Sequence, residues 1–180
     1  MKLIAIFLLC SLSSKFAYSC PSVSGKWKGC SVSTSIVNSL ELIAVNIGMK
    51  TLVFELSNPG KNKLNSKIIK RNLISANEVI LDETLDIGKK NFSTWDKNVF
   101  EGSTPPEFTT TITCNSTGMI ETMTWTNLSA RNYPTHERNR YPKYYKSVYK
   151  KRGNKLSRII YARDTIDERY KYVAKINCSK

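Results

Sequence analysis

Phe108-Thr109-Thr110-Thr111-Ile112-Thr113-Cys114 and, across Asn115-Ser116-Thr117-Gly118, Met119-Ile120-Glu121-Thr122-Met123-Thr124-Trp125 are the two runs whose reading decides the fold. Phe108, Thr110, Ile112 and Cys114 fall on one face of a period-two pattern, while Thr109, Thr111 and Thr113 fill the other. Threonine is β-branched and suits a half-exposed pleated surface. Beyond the turn, Met119, Met123 and Trp125 share a face opposite Thr122, Thr124 and Thr126. Two alternating runs joined by short turn chemistry predict an antiparallel hairpin.

The same period extends outward from this hairpin. Tyr170, Tyr172, Ala174, Ile176 and Cys178 point one way in the last strand, and Lys171, Lys175 and Asn177 the other. Lys155 to Ala162 forms the strand before it, between Arg152-Gly153-Asn154 and Asp164-Thr165-Ile166-Asp167. Earlier strands are predicted at Thr51–Leu56, Ser66–Leu73 and Glu78–Asp86, separated by Asn58-Pro59-Gly60-Lys61-Asn62 and Ser75-Ala76-Asn77. Val37–Ile47 reads equally as a short helix or a buried strand, with Leu40, Ile43 and Ile47 as its apolar marks. Asn91 to Pro106 reads as a longer loop with Trp95 and Phe100 folded against the body. About eight closely spaced strands predict an all-β barrel or sandwich built of hairpins.

Composition agrees. The chain of 180 residues is 41% hydrophobic and 23% charged, which excludes wholesale disorder, collagen and a multi-span membrane protein. A single histidine, His136, excludes a multi-histidine metal site, and no cofactor is implied. Residues 1–19 carry Lys2, an apolar run from Leu3 to Leu9, and small residues at Ala17 and Ser19. That is the arrangement of a secretory signal, too short in its apolar part for the ~20 residues of a spanning helix. The expected organisation is therefore a signal over 1–19 and one domain over 20–180, with no transmembrane helix after cleavage and an oligomeric state left open. Cleavage removes Lys2 and Lys15 and no acid, leaving 26 basic against 14 acidic residues.

In an exported chain Cys20, Cys30, Cys114 and Cys178 imply two disulfides, with three pairings open. Cys20–Cys30 with Cys114–Cys178 is favoured, Cys114 and Cys178 both falling near strand ends. Cys20 stands directly after the cleavage point, where bacterial lipoproteins carry lipid. Bulky Tyr18 fits that signal poorly, and lipidation would leave three cysteines, so the soluble secreted or periplasmic form is favoured over the anchored one.

Ser24-Gly25-Lys26-Trp27-Lys28-Gly29 resembles the Gly-x-Trp signature with which lipocalins and other calycin barrels begin their first strand. The mature start is also similar to small exported bacterial proteins that begin Cys-Pro, then Ser-Gly-x-aromatic, then Cys: here Cys20-Pro21, Ser24-Gly25-Lys26-Trp27 and Cys30. The resemblance implies an up-and-down antiparallel barrel whose Trp plugs the closed end and whose open end receives a small apolar ligand. It also implies a basic residue packed on that Trp, which the sequence leaves unassigned among many. Physically, Trp27 needs no ligand to explain it: beside Gly25 and Gly29 it is placed to seal a core as a structural residue.

Three function readings follow. The first is an exported barrel that binds a small apolar or amphipathic ligand in an interior lined by Phe108, Ile112, Met123, Trp125, Tyr170 and Tyr172. The second rests on Arg131 to Arg158, where ten basic residues meet one acid, Glu137, with tyrosines interleaved. Arg140, Lys143, Tyr144, Lys146, Tyr149, Lys150, Lys151 and Arg152 would there face an anionic lipid, lipopolysaccharide, an acidic polysaccharide or nucleic acid. The plainer account of that stretch is a solvated hairpin with its tyrosines turned inward. The third reading, a hydrolytic enzyme, has the least behind it, and no catalytic residue is assigned. Glu78, Asp82, Glu83 and Asp86, and the group Asp164, Asp167 and Glu168, more simply balance the basic face, and His136 lacks a nucleophile motif.

Overall fold

The computed structural model describes residues 20, 23–34, 39–60, 62–72, 74–94, 107–115, 118–127 and 142–180. The proposed signal, Trp95, Phe100, Arg131, His136 and Arg140 lie outside the described residues.

The hairpin that opened the reading forms with the expected faces. The strands here called β6 (Glu107–Asn115) and β7 (Gly118–Trp125) pair antiparallel, Phe108 opposite Trp125, Thr110 opposite Met123 and Cys114 opposite Met119. Gly118 is required where β7 meets the next strand: a Cβ there would lie 2.2 Å from the Tyr149 carbonyl oxygen.

Around this pair stand β1 (Gly25–Thr34), α1 (Ser39–Thr51), β2 (Leu52–Ser57), β3 (Lys63–Lys70), β4 (Glu78–Asp86), β5 (Lys90–Thr94), β8 (Tyr144–Arg152), β9 (Lys155–Arg163) and β10 (Lys171–Ser179). The strands form one antiparallel sheet in the order β4-β3-β2-β1-β10-β9-β8-β7-β6-β5. Strands consecutive in the chain pair with each other except β4 and β5, and β1 also joins β10, bringing the last strand beside the first. β4 and β5 are the two edges, so the barrel is nearly closed with its seam between them. The fold is all-β as expected, with ten strands rather than about eight. The additional two are β5, inside the stretch read as a loop from Asn91, and β8, inside the basic stretch. Charged and aromatic residues hid β8, because its inward face carries Tyr145, Ser147 and Tyr149 in place of aliphatics.

Of the ambiguous Val37–Ile47 segment, the described part from Ser39 onward belongs to α1, in the connection between the antiparallel neighbours β1 and β2. Asn46 fixes it. Its side-chain oxygen accepts from the Val32 amide at 2.6 Å and its NH₂ donates to the Val32 carbonyl at 2.9 Å, standing in for a neighbouring strand. Among the described residues no helix is long and apolar enough to cross a membrane.

Trp27 is fully buried at one end of the barrel, within a cluster holding Cys20, Val23, Cys30, Leu56 and Leu64. Its indole N–H donates to the Val23 carbonyl at 3.0 Å, meeting the partner requirement of a buried indole. Gly25, at φ +153, lets the backbone approach the ring: a Cβ there would stand 3.1 Å from Trp27 Cζ2. The ammonium groups of Lys180 and Lys151 lie 5.5 and 5.9 Å from the indole centroid, giving two cations where the resemblance implied one.

The disulfides correct the favoured pairing. Cys20 joins Cys114 and Cys30 joins Cys178. Barrel closure explains the second bond, since Cys30 and Cys178 sit on β1 and β10, far apart in sequence but adjacent in the sheet. Cys20, ahead of β1, packs in the same buried cluster as Cys114 near the end of β6, which explains the first.

The last strand also departs from simple alternation. A register shift between Tyr172 and Ala174 puts Tyr172 opposite Tyr161, with Ala174, Ile176 and Cys178 on the other phase. Tyr172 is therefore 44% exposed, whereas Ala174 and Cys178 are buried.

Candidate functional site

A cavity of about 80 Å³ lies inside the barrel. One wall is built by β2, β3 and β4 through Phe54, Leu56, Ser66, Ile68, Leu81 and Glu83. The opposite wall comes from β7 to β10 through Glu121, Met123, Tyr149, Leu156, Arg158, Ile176 and Cys178, with Ser93 of β5 beside the seam. Leu56, Tyr149, Leu156 and Cys178 also belong to the cluster around Trp27, so the cavity rests on the plug. The space admits several waters or the slender part of an amphiphile.

Period two places each wall residue. Glu121 shares the inward face of β7 with Met119 and Met123; Arg158 shares that of β9 with Leu156 and Ala162. The register sets Arg158 directly opposite Tyr149, and Tyr149 opposite Met119. The polar groups then converge. Tyr149 Oη donates to Glu121 Oε2 at 2.8 Å, and Arg158 Nη2 donates to the same oxygen at 3.0 Å. Arg158 Nε donates to Ser147 Oγ at 3.1 Å, and the guanidinium carbon lies 5.0 Å from the Tyr149 ring centroid. A buried charge is tolerated when paired and hydrogen-bonded in this way.

Burial, together with the adjoining Glu121 carboxylate, pushes the Tyr149 phenol well above its ordinary range despite the opposing Arg158 charge, so Tyr149 stays a neutral donor. Burial would lower Arg158, but Tyr149 and Glu121 outweigh it and hold the guanidinium above its usual value. Glu83, on the far wall, is raised by burial and further by the charge of Glu121, with the Ser93 hydroxyl opposing. Ser93 Oγ is itself buried and makes no hydrogen bond of ordinary geometry among the described residues.

Of the residues read from sequence as cavity lining, Met123 lines it. Phe108 and Trp125 are buried against each other, ring centroids 5.6 Å apart, with the Trp125 N–H donating to Asn127 Oδ1. Ile112 is core beside the Cys20–Cys114 bond. Tyr172 lies edge-on to Tyr161 and donates to the Ser33 carbonyl, while Tyr170 packs 4.4 Å from the Arg163 guanidinium.

β8 splits the basic stretch by face. Tyr149 turns inward to Glu121 and Lys151 reaches the Trp27 ring. Tyr144 and Lys146 alternate with the inward Tyr145 and Ser147, so they face outward; Lys150 and Arg152 are exposed at the strand's end. Lys143 immediately precedes the strand, 5.8 Å from the Tyr144 ring centroid. The acidic run of β4 divides likewise. Glu78, Asp82 and Asp86 pair with Lys70, Lys67 and Lys89 at 3.7, 2.9 and 3.7 Å, while Glu83 alone of the four lines the cavity.

Sequence reasoning passed over Glu121, placed Tyr149 and Arg158 in the basic stretch and set Glu83 among the acids balancing it, so none of the four was assigned to the cavity. The signal was present at Glu121 and Arg158, charged residues at inward positions of two otherwise apolar faces. The apolar wall of Phe54, Ile68 and Leu81 carried no mark beyond ordinary strand composition.

No protein-family model matches the chain, and no curated protein matches it. Solved structures do share its fold. A REP1-NXSQ fatty acid transporter superposes with a TM-score of 0.50 at 12% identity, over 87% of this chain and 94% of that one. A variant of the fluorescent protein UnaG superposes at 0.51, also with 12% identity, over 88% of this chain and 96% of its own. The shared feature is a nearly closed antiparallel barrel.

Proposed function

We propose that the chain is an exported barrel that binds a small amphipathic ligand in its interior. One observation carries the reading: a cavity inside the barrel with mainly apolar walls, a convergent polar group, Glu121–Tyr149–Arg158, and Glu83 on the facing wall. Apolar lining favours ligand burial and a few fixed polar groups set its orientation, the usual composition of a small-molecule site. The fold shared with a protein named as a fatty acid transporter supports the same reading. Two disulfides support export, and the engagement of Cys20 with Cys114 leaves no thiol there for a lipid anchor.

The test uses N-phenyl-1-naphthylamine, a neutral dye that brightens in apolar surroundings. Wild-type protein should enhance its emission saturably. Met123→Trp should weaken binding at least ~10-fold while changing stability by less than the ~1–3 kcal/mol that overpacking a filled core costs. No saturable enhancement with wild type would end the proposal.

A second reading, capture of a polyanion such as lipopolysaccharide or heparin, is favoured by the outward alternation of Tyr144 and Lys146 with Lys150 and Arg152 beyond them. It concerns the outer face of β8 and is independent of the cavity.

A further inference from the structure

We infer that the interior selects against carboxylate ligands and takes an amphiphile whose head group donates hydrogen bonds and carries no negative charge. The inference rests on the cavity being a binding site and names the class of molecule it takes.

The charges on the cavity wall carry it. Glu83, Glu121 and Arg158 line the space, two carboxyl groups against one guanidinium. Arg158 is the only cation among the described lining residues, and Glu121 already holds it at 3.0 Å. Its Nε is spent on Ser147, and the Tyr149 hydroxyl is spent on the same Glu121 oxygen. An incoming carboxylate would therefore find the cation neutralised and the phenol donor occupied. It would also have to sit beside Glu121 with Glu83 across the cavity, adding a third acidic group to a partly buried space. Like charges there repel more strongly than in solvent, and no described lining cation is left to offset them.

The acceptors tell the opposite story. Glu83 presents a carboxyl group to the cavity, and beside it Ser93 Oγ is buried without a hydrogen bond of ordinary geometry. A hydroxyl, amide or ammonium head can donate to Glu83, which Ser93 alone does not saturate, whereas a carboxylate cannot. Phe54, Ile68, Leu81 and Ile176 then cover the tail. The protein as a whole is strongly basic, so long-range attraction would draw anions toward it. Selection against them must come from the interior, which makes head-group ranking diagnostic of the cavity and not of the surface.

The experiment is displacement of bound N-phenyl-1-naphthylamine by 1-octanol, octylammonium and octanoate, three probes with one tail. In wild-type protein the better of octanol and octylammonium should displace the dye at least ~10-fold more tightly than octanoate, about 1.4 kcal/mol. Glu83→Gln should shrink that gap by improving octanoate, and Glu83→Gln with Glu121→Gln, which frees Arg158, should shrink it further or reverse it. Octanoate binding as tightly as the other two in wild type would overturn the inference while leaving ligand binding intact. A wild-type preference that survives both carboxyl substitutions in folded protein would also overturn it. If the double variant does not fold, the wild-type ranking and Glu83→Gln decide. Absence of dye binding would instead remove the binding reading beneath it, and this inference with it.

Discussion

Glu83 is a carboxyl group kept inside a barrel without a described cation beside it, and such a residue leaves a thermodynamic trace. Burial raises its pKa, Ser93 opposes that and Glu121 reinforces it, so the folded chain holds the proton more tightly than the unfolded chain does. The sign follows directly. Stability from the protonated form is fully present below the ordinary carboxylate range and is lost as pH rises through the raised native value. Glu83→Gln keeps the shape without the charge. It should therefore raise the denaturant midpoint at about pH 8 and leave it nearly unchanged at about pH 3, where both side chains are neutral. A midpoint lowered at about pH 8 would show Glu83 holding a stabilising partnership. Its neighbour Asp82 behaves oppositely: the Asn65 amide and the Lys67 ammonium hold it below the usual carboxylate range on the outer face. Adjacent residues of one strand thus have opposite pH signatures because a pleat points them to opposite sides. Sequence showed four acids and no reason to separate them; only the alternation Leu81, Glu83, Leu85 carried that information, at a strand whose apolar face also admits a carboxyl group.

At the scale of the element, β8 was the strand least legible in the sequence and the one that most alters the functional reading. Its residues read either as one basic, aromatic surface or as a solvated hairpin with its tyrosines turned inward, and the pleat divides them between the two faces. Lys151 neighbours the Trp27 plug and Tyr149 is tied to Glu121, while Tyr144 and Lys146 face outward and Lys150 is exposed. If the outer face of β8 binds polyanions, retention on heparin should fall steeply with salt, because neutralised anionic groups release counterions. Lys146→Gln with Lys150→Gln should lower the log–log salt slope by roughly 1–2, each lost contact contributing somewhat under one. Lys151→Gln should leave that slope alone and instead cost about 0.5–1 kcal/mol of stability through the lost cation–ring contact. Equal slope changes from all three lysines would mean that Lys151 leaves the Trp27 ring to serve the surface. By contrast β4, β6, β7 and β9 were legible to within a residue, since each keeps a mainly apolar inward face despite one polar residue on it, Glu83, Thr110, Glu121 and Arg158 respectively. β5 was not, because a five-residue strand with an exposed Phe92 presents no apolar face to read.

The whole molecule is held in register by which chain ends meet. Local sequence favours joining Cys20 to Cys30, ten positions away, because short loops close at low entropic cost. Barrel closure overrides that preference: β10 returns beside β1, so Cys30 meets Cys178 across 148 positions, and Cys20 is buried in the cluster that holds Cys114, so those two meet across 94. The two loops interleave along the chain, and each ties β1 or its approach to a different part of the sheet. Both bonds lie in the buried cluster around Trp27, while the β4–β5 seam is crossed by no disulfide. Non-reducing peptide mapping should recover Cys20 linked to Cys114 and Cys30 linked to Cys178, and a Cys20–Cys30 peptide would overturn the arrangement. Loops of this length restrict the unfolded chain by roughly 4–5 kcal/mol in the chain-entropy account. Serine at both Cys30 and Cys178 should therefore cost about that much, read as a lowered denaturant midpoint. The loss should be global and cooperative, since the bond joins the first strand to the last and no part of the barrel closes without that seam. A small, local effect would mean that the β1–β10 ladder alone suffices to close the barrel.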